Sequence, residues 1–497
     1  MGNKSVKTGN NITLQIITIS LTHGSFRQIV VEFWNGFLMF LHANKNFPMQ
    51  PRKKSKSLVL LAMTLGFVVV QLDVTVVNVA TKAIGSSMGG NISSLQWVVN
   101  AYTLAFAALI LTAGALGDRI GAKRVFVAGF AIFTIASLGC GFAPNLISLI
   151  VSRILQGLGA SILVPCSLAL LNHTYNNEAE RTRAIGIWAA GASAALAAGP
   201  ILGGALISFL GWRSIFFINL PLGILGIWLT VRYTTETTRS SSRGIDLWGQ
   251  LTAIAGLALL AASMIEGGKE GWTNTFVLCG FAAFVIFAAL FIYIEKKKQN
   301  PMLPLSLFEN KTFSANTAIG FLINVSFYGL IFIISLYLQQ VRSYSPLQTG
   351  LAFLPMMIAV LIANLSAGLL NKLLGAKWLI IIGEIIFGLG CIFLININPH
   401  SHYIQMAPQL AAMGLGVGLI VPPMTSSLLG SVNKSRSGIA SGVLNSMRQA
   451  GSVVGVALFG SMIDKKFVTG LHLSLVISTG LLLLSILFSF RIAGKKN

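Results

Sequence analysis

Long apolar runs separated by short polar segments dominate the chain from Leu58 onward. Most of them reach the length of about 20 residues that a helix needs to cross the hydrocarbon core of a bilayer. Because lipid offers no hydrogen-bond partners, each run can satisfy its backbone groups there only as a helix. The pattern therefore predicts an all-α integral membrane protein with fourteen spanning helices, at residues 58–80, 95–117, 124–143, 146–171, 185–210, 213–232, 246–265, 274–294, 313–338, 347–370, 377–396, 404–427, 437–463 and 468–491.

The N-terminal 56 residues do not follow this pattern. They are polar apart from one run at Val30–Leu41, which contains Glu32 and is shorter than a span needs. A cleaved signal peptide is a poor fit, because nothing after this segment requires export. Residues 1–56 are therefore expected to be a cytoplasmic extension, either loosely ordered or a start-site artefact with translation beginning at Met49.

Composition supports the membrane class. The chain is 54% hydrophobic and 10% charged, whereas soluble domains carry about 25% charged residues. A net charge of +22 would suggest nucleic acid in a soluble protein, but here the basic residues lie in short segments between apolar runs. We therefore expect the lipid bilayer and no nucleic acid as a partner. The four cysteines lie inside apolar runs, at no spacing typical of a disulfide framework or zinc site.

The distribution of lysine and arginine predicts the orientation, since cytoplasmic loops are enriched in both. Alternate connections are basic, beginning with Arg52–Lys56 and including Lys296–Lys298. The intervening connections hold few basic residues, namely Lys82, Arg213, Lys269, Arg342, Lys465 and Lys466. The asymmetry predicts a multi-pass cell-membrane protein with both termini in the cytoplasm.

Residues 114–124 form a short charged segment between predicted spans 2 and 3. It is too charged for lipid and too short for a linker, so it predicts a tight hairpin at one membrane face. Its core, 117–123, is echoed at 370–377 after predicted span 10, as expected if spans 1–6 and 9–14 are parallel repeats. Spans 7 and 8 would then be an inserted hairpin. The predicted division is a six-helix bundle at 57–232, a linker with the inserted hairpin at 233–312, and a second six-helix bundle at 313–497.

Ionisable residues inside spans are costly and therefore indicate function by default. Asp73 in span 1 and Arg153 in span 4 are candidates to face one another. A carboxylate beside a guanidinium stays ionised, and a weakened pairing would let it take a proton, as a proton-coupled carrier requires. The alternative is a structural pair that locks the two helices together.

The roles of other polar residues inside or near the spans remain open. Arg448 is either a substrate contact or a packed structural arginine, and Glu384 lies in a span that is peripheral in such repeats. Glu266 and Asp464 lie at span ends, where solvation is expected. The residues chosen as a possible substrate cavity are Asn100, Gln156, Asn324, Tyr328 and Arg448.

Predicted span 5 is rich in small residues, which allow close helix approach in lipid. Pro200 removes a backbone donor and bends the helix. The specific part of the pattern is its Gly-Pro-x-x-Gly-Gly order, and the residues are Gly186, Gly199, Pro200, Gly203 and Gly204. A bent helix with a small-residue face predicts a hinge or seal, although ordinary tight packing would produce a similar composition.

Taken together, these motifs resemble the fourteen-span drug:proton antiporters of the major facilitator superfamily, over residues 57–492. The span 2–3 loop matches a family pattern, and the resemblance implies a gating role for Gly114, Asp118, Arg119, Gly121, Lys123 and Arg124. Leu72–Ala80 matches the family pattern of helix 1, but the usual Leu-Pro that follows is Thr81-Lys82 here, which leaves the outer end of that helix open. Arg153, Gln156 and Gly157 match a pattern linked to proton transfer, and the glycine-proline motif matches one that distinguishes exporters, with Ala195 replacing one glycine.

The resemblance implies a major facilitator fold that exports lipophilic, often cationic, toxic compounds by alternating access, driven by a proton gradient with no cofactor. No Walker loop is present in the sequence, so ATP is not expected to be the direct energy source. The expected partners are small-molecule substrates and protons, and the protein is expected to act as a monomer. Export of a dedicated metabolite on the same fold is the alternative. A membrane-embedded enzyme is disfavoured, because the histidines are scattered rather than clustered with acids.

Overall fold

The computed structural model describes residues 55–239, 246–298, 301–398, 401–433, 436–463 and 467–493. All regular structure within these ranges is helical, as the apolar runs predicted. The hypotheses on Met49 and on residues 1–48, and the expected solvation of Asp464, lie outside the described residues.

The helices follow one another with short connections. In chain order they are α1 (Lys56–Met88), α2 (Ile92–Ile120), α3 (Ala122–Gly141), α4 (Leu146–Thr174), α5 (Glu178–Leu210), α6 (Ser214–Phe217), α7 (Asn219–Tyr233), α8 (Leu247–Glu270), α9 (Thr275–Lys297), α10 (Lys311–Leu336), α11 (Pro346–Ala352), α12 (Leu354–Leu394), α13 (Tyr403–Gly430), α14 (Ser437–Met462) and α15 (Phe467–Ser489). A 3₁₀ turn at Leu305–Glu309 precedes α10, and a π-helical turn at Tyr337–Val341 extends it.

Twelve stretches within the described ranges are long and apolar enough to cross a membrane. One of them, Pro346–Leu394, contains predicted spans 10 and 11, and its backbone is not helical at Gly375, where φ is 79°. Helix α14, which covers predicted span 13, is not among the twelve, because it carries Arg448 and Gln449 among many small residues. A multi-pass all-α architecture is therefore confirmed, and the count of fourteen spans stays a prediction.

Short polar side chains fix where many helices begin, because they accept hydrogen bonds from the free N–H groups of the first turn. The Asn91 side chain accepts from the Ser94 amide at 2.9 Å at the start of α2. Asn145 and Ser148 cap α4 reciprocally. Similar caps begin α8 to α11, at Asp246, Asn274, Asn310 and Ser345.

One predicted boundary changes. Helix α1 does not end near residue 80 but continues to Met88, because Thr81-Lys82 stands where a proline would have stopped it. The predicted span 213–232 corresponds to one candidate span, Ser214–Tyr233, in which Ile218 separates the short α6 from α7.

Packing separates central from peripheral helices. The apolar part of α10 is 94% buried, whereas that of α9 is 6% buried. Helix α1 packs against α5, α2 against α4 and α14, and α10 against α14, while α9 contacts mainly α8. The predicted inserted hairpin, α8 and α9, therefore lies at the periphery and is attached through α8 to α2 and α14. The boundaries at 232/233 and 312/313 stay predictions.

Candidate functional site

A buried ion pair joins α1 to α4. Nη1 of Arg153 donates to Oδ2 of Asp73, and the two residues are 1% and 2% exposed. Both sequence-predicted coupling residues thus lie in one site, well inside the helical core. Removing one partner of such a pair leaves an uncompensated buried charge, which costs about 3–5 kcal/mol.

Three further polar side chains complete this cluster. Gln156 donates from Nε2 to Oδ1 of Asp73 at 2.8 Å and to Oγ of Ser137 at 2.9 Å, while its Oε1 accepts from Arg153 at 2.7 Å. The amide nitrogen of Asn219 lies 3.3 Å from both Oδ1 of Asp73 and Oγ of Ser137. Sequence analysis placed Gln156 in a substrate cavity and missed Ser137 and Asn219. The signal for Asn219 was its place in the segment Trp212–Gly223, which resembles the one that opens helix 6 in the fourteen-span branch.

The remaining surfaces of the Arg153 guanidinium are also occupied. Its Nε donates to the Val98 carbonyl at 3.1 Å. Its central carbon lies 4.3 Å from the ring centroid of Tyr102 and 5.9 Å from that of Phe216. A cation held against aromatic faces remains stabilised when its anion is removed. The Arg153 guanidinium is therefore held by contacts other than the Asp73 carboxylate.

The predicted gating loop forms the turn between α2 and α3. Gly121 has a φ of 114°, which favours glycine, and the carboxylate of Glu236 lies where its Cβ would be. Glu236 accepts from the backbone amides of Lys123 at 2.8 Å and Arg124 at 3.3 Å. Glu236, which sequence analysis missed, therefore caps the start of α3 from the segment after α7. Of the other residues assigned to this loop, Arg119 is exposed, whereas Gly114 and Asp118 line a cavity described below.

The glycines of the predicted exporter motif are contact points of α5. A Cβ on Gly199 would overlap Thr75 of α1, and one on Gly203 would lie 3.0 Å from Val76. At the same end of α5, a Cβ on Gly204 would lie 2.5 Å from the Pro346 carbonyl oxygen.

Contacts with α11 extend this seam. A Cβ on Gly350 of α11 would overlap the carbonyl oxygen of Pro200. By contrast, a Cβ on Gly186 would meet nothing within 4 Å. Four of the five motif residues thus pack closely against α1 and α11, whereas Gly186 does not. We call this contact the glycine seam; its residues on α5 are Gly199, Pro200, Gly203 and Gly204.

Hydrogen bonds also join helices at the end of the bundle where the glycine seam lies. The Lys82 ammonium donates to the Gln339 carbonyl at 2.5 Å, and the Gln339 side chain donates to the Val79 carbonyl at 3.0 Å. Oγ of Ser335 donates to the Asn78 carbonyl at 2.8 Å. Helices α1 and α10 are thereby joined at the end that carries the glycine seam.

The opposite face contains a cavity of about 1040 Å³. Its wall is formed by the ends of α2, α4, α8, α9 and α14, and the charged residues in it are Asp118, Asp246, Glu295, Lys296, Lys298, Glu309 and Arg436. A drug-sized ligand occupies a pocket of roughly 300–1,000 Å³. The structure therefore has one closed face and one face with a cavity large enough for a small molecule.

None of the five predicted cavity residues lines this cavity. Asn100 and Gln156 are fully buried, and Asn324 and Tyr328 are 4% and 5% exposed. In the state described, the middle of the bundle is packed and the open volume lies toward the face of the span 2–3 loop, so the role of these residues in a substrate cavity stays a prediction. Both side-chain amide atoms of Asn100 and Nε of Arg448 are buried without a hydrogen-bond partner in the described part of the chain.

The structure also shows the surroundings of Glu384 and Glu266, two other ionisable residues that the sequence analysis named. Glu384 is fully buried and accepts from Ser485 at 2.5 Å and from Ser489 at 3.0 Å, both on α15. Glu266 is 43% exposed in its side chain and lies 3.7 Å from Lys269, as expected for a solvated residue. Across the described ranges, no group of three or more metal-ligating side chains occurs.

Comparison with known proteins assigns the fold and the family. The family model described as Major Facilitator Superfamily matches residues 63–297, 247–456 and 317–496. The chain is 37% identical over 406 residues to the methylenomycin A resistance protein of Bacillus subtilis strain 168, covering 82% of this chain and 87% of that protein. It is 36% identical over 410 residues to the multidrug resistance protein Stp of Mycobacterium tuberculosis, covering 82% and 76%.

Solved structures share the fold at lower identity. The human organic anion transporter MFSD10 superposes with a TM-score of 0.61 at 15% identity, over 88% of this chain and all of that chain. A bacterial homolog of the human lysosomal transporter Spinster, solved in an inward-facing and unoccupied conformation, gives a TM-score of 0.61 at 18% identity, over 88% and 97%. With the helical membrane architecture, the family matches show that this chain belongs to the Major Facilitator Superfamily and is a transport protein rather than an enzyme.

Proposed function

We propose that this protein is a proton-coupled antiporter that exports lipophilic, often cationic, toxic compounds across the cell membrane by alternating access. The observation that carries the proposal is the Asp73–Arg153–Gln156 cluster, which is buried between α1 and α4. Helix α1, which carries Asp73, also contacts the glycine seam. Relatives named for multidrug resistance and drug efflux support the substrate class.

The conformational part of the proposal uses the two unequal faces. In this proposal the basic connections mark the cytoplasmic face, which makes the cavity open inward and the state described inward-facing. The glycine seam and the α1–α10 hydrogen bonds close the outer face. Rocking of the two halves about the centre would open that seam and close the cavity.

The Asp73 cluster supplies a proton site for this cycle. The Asp73 carboxylate accepts three hydrogen bonds, from Arg153, Gln156 and Asn219. Protonation removes the charge that holds Arg153, while Val98 and Tyr102 retain the guanidinium. The hydrogen bonds that tie α1 to α4 and α7 then weaken, which frees α1 to move.

The test is ethidium efflux from energised cells with and without a protonophore, comparing wild type with Asp73→Asn. We expect uncoupler-sensitive efflux that Asp73→Asn abolishes, because asparagine cannot exchange a proton. Glu266→Gln, at an exposed helix end, is the matched control and should transport as wild type does. Full proton-driven efflux by well-expressed Asp73→Asn would refute the coupling role.

A narrower substrate is the second candidate. It is favoured by relatives named for single compounds, methylenomycin A and tetracenomycin C. Well-expressed wild type that fails to move ethidium, while protecting cells from one compound in a resistance panel, would establish this alternative.

A further inference from the structure

Two carboxylates lie side by side at one end of the α8–α9 hairpin. Asp246 is the N-cap of α8 and is 2% exposed, and Glu295 lies in the last turn of α9 and is 3% exposed. Both belong to the wall of the 1040 Å³ cavity. Neither takes part in the Asp73 cluster, and their position gives the peripheral hairpin a chemical feature of its own.

Each carboxylate has one satisfied oxygen. Oδ1 of Asp246 accepts from the Gly249 amide at 2.8 Å and from the Lys298 ammonium at 2.7 Å. Oε2 of Glu295 accepts from the Leu303 amide at 2.9 Å. The second oxygens, Oδ2 of Asp246 and Oε1 of Glu295, are buried and have no hydrogen-bond partner among the residues that the structure describes.

The two unpartnered oxygens converge on one point. A Cβ placed on Gly249 would lie 2.8 Å from Oδ2 of Asp246 and 2.7 Å from Oε1 of Glu295. The oxygens are therefore neighbours, within the range of about 6 Å over which like charges disfavour each other's ionisation. The space between them is bounded by the Gly249 backbone, and two oxygens are too few to bind a metal such as Ca²⁺, which takes about 6–8 ligands.

Among the residues that the structure describes, the charges at this pair are unbalanced by one. The pair brings two negative charges, and Lys298 is the one described cation in contact with it. Other charged residues line the cavity, namely Asp118, Lys296, Glu309 and Arg436. Burying an uncompensated carboxylate without a donor is unfavourable. One added proton removes the excess charge and supplies the missing donor, because a protonated carboxyl group can donate to the facing oxygen.

We propose that Asp246 and Glu295 share one proton, which makes the inner end of the inserted hairpin a second protonation site beside the cavity. The proton then belongs to the pair of facing oxygens rather than to either residue alone. Gln250 donates to the Ala108 carbonyl at 2.8 Å, so the helix that begins at Asp246 is fastened to α2 next to this site. The inference concerns proton binding alone and holds whether or not ethidium is a substrate.

Infrared difference spectroscopy of the purified full-length protein at neutral pH tests this inference. The readout is the carbonyl stretching band of a protonated carboxylic acid, which shifts in D₂O. Subtracting the Glu295→Gln spectrum from that of wild type should leave a band equivalent to about one carboxyl group. Asp246→Asn should lose the same band, because the amide of asparagine can donate to Glu295 in place of the proton. Bands from other protonated carboxyl groups cancel in both subtractions.

Glu309→Gln is the matched control, because Glu309 lines the same cavity but is exposed. It should leave the band unchanged. The proposal is overturned if neither Glu295→Gln nor Asp246→Asn loses the band. It is also overturned if Asp246→Asn keeps a band that Glu295→Gln removes, since the proton would then reside on Glu295 alone. If either variant fails to fold, Asp246→Ser or Glu295→Ser takes its place, because serine also removes the carboxylate and its hydroxyl can donate to the facing oxygen.

Discussion

Two glycines of one helix should respond in opposite ways to the same substitution. Gly186 and Gly199 both lie in α5, and each would gain one methyl group as alanine. At Gly186 the added Cβ meets nothing within 4 Å, so the change should stabilise the helix by up to about 1 kcal/mol. At Gly199 the added Cβ overlaps the Thr75 hydroxyl and lies 2.8 Å from its Cβ.

The overlap at Gly199 determines how much this substitution changes the free energy of unfolding. Thr75 already hydrogen-bonds its own helix, through the Leu72 carbonyl at 3.2 Å, and is fully buried, so it has little freedom to move away. Forcing one extra methyl group into such a contact costs roughly 1–3 kcal/mol. The gain in helix propensity is common to both positions, so the two substitutions should differ in the free energy of unfolding by the steric cost, roughly 1–3 kcal/mol.

The assay is denaturant unfolding of both variants in the same detergent, with ethidium efflux measured in parallel. Gly186→Ala should retain transport, and Gly199→Ala should lose it, because the widened α1–α5 contact prevents the glycine seam from closing. Thr75→Ala combined with Gly199→Ala should recover part of the lost stability, a coupling of roughly 1 kcal/mol. Equal effects of the two single substitutions would refute the steric reasoning.

Two further contacts can be tested by hydrogen exchange, which reports local opening. Glu236→Ala should lower the free energy of unfolding by about 1 kcal/mol and speed exchange in the first turn of α3. Glu270→Ala, which removes an exposed carboxylate, is the control and should not change that exchange. Unchanged exchange in α3 of Glu236→Ala would contradict the capping role. Lys82→Met removes the ammonium that binds the Gln339 carbonyl and should speed exchange at the C-terminal ends of α1 and α10. Lys269→Met is its control, and equal protection in both variants would show that this bond does not hold the face closed.

The sequence predicted the ion pair because charges are rare in apolar runs. Asp73 and Arg153 stand out in their spans, and the cost of an isolated charge in lipid requires a partner. Ser137 and Asn219, which complete the same cluster, could not be predicted in this way. Small polar residues are common in membrane helices, where they can bond their own backbone, so neither residue signals a tertiary contact by itself.

Neither the cap that Glu236 provides nor the position of the cavity could be predicted from the sequence. Glu236 lies far along the chain from the turn at Gly121, and no local pattern connects a linker carboxylate to a helix that begins elsewhere. Asp246 and Glu295 lie at the ends of apolar runs, where charges are usually solvated, so their burial depends on how the hairpin packs. The predicted cavity residues were chosen for polarity inside spans, but the position of open space depends on the conformational state.

Helix α1 carries both the candidate proton site and the bonds of the closed face. Asp73 holds Arg153, Thr75 contacts the glycine seam, and the Asn78 carbonyl and Lys82 side chain bond to α10. At 1.5 Å per residue, these contacts span about 14 Å of one continuous helix. A packed helix transmits displacement rather than absorbing it, because its backbone hydrogen bonds resist local stretching. If Asp73 takes the proton, α1 is the element through which loss of the Arg153 contact can loosen the glycine seam, and so start the rocking of the two halves.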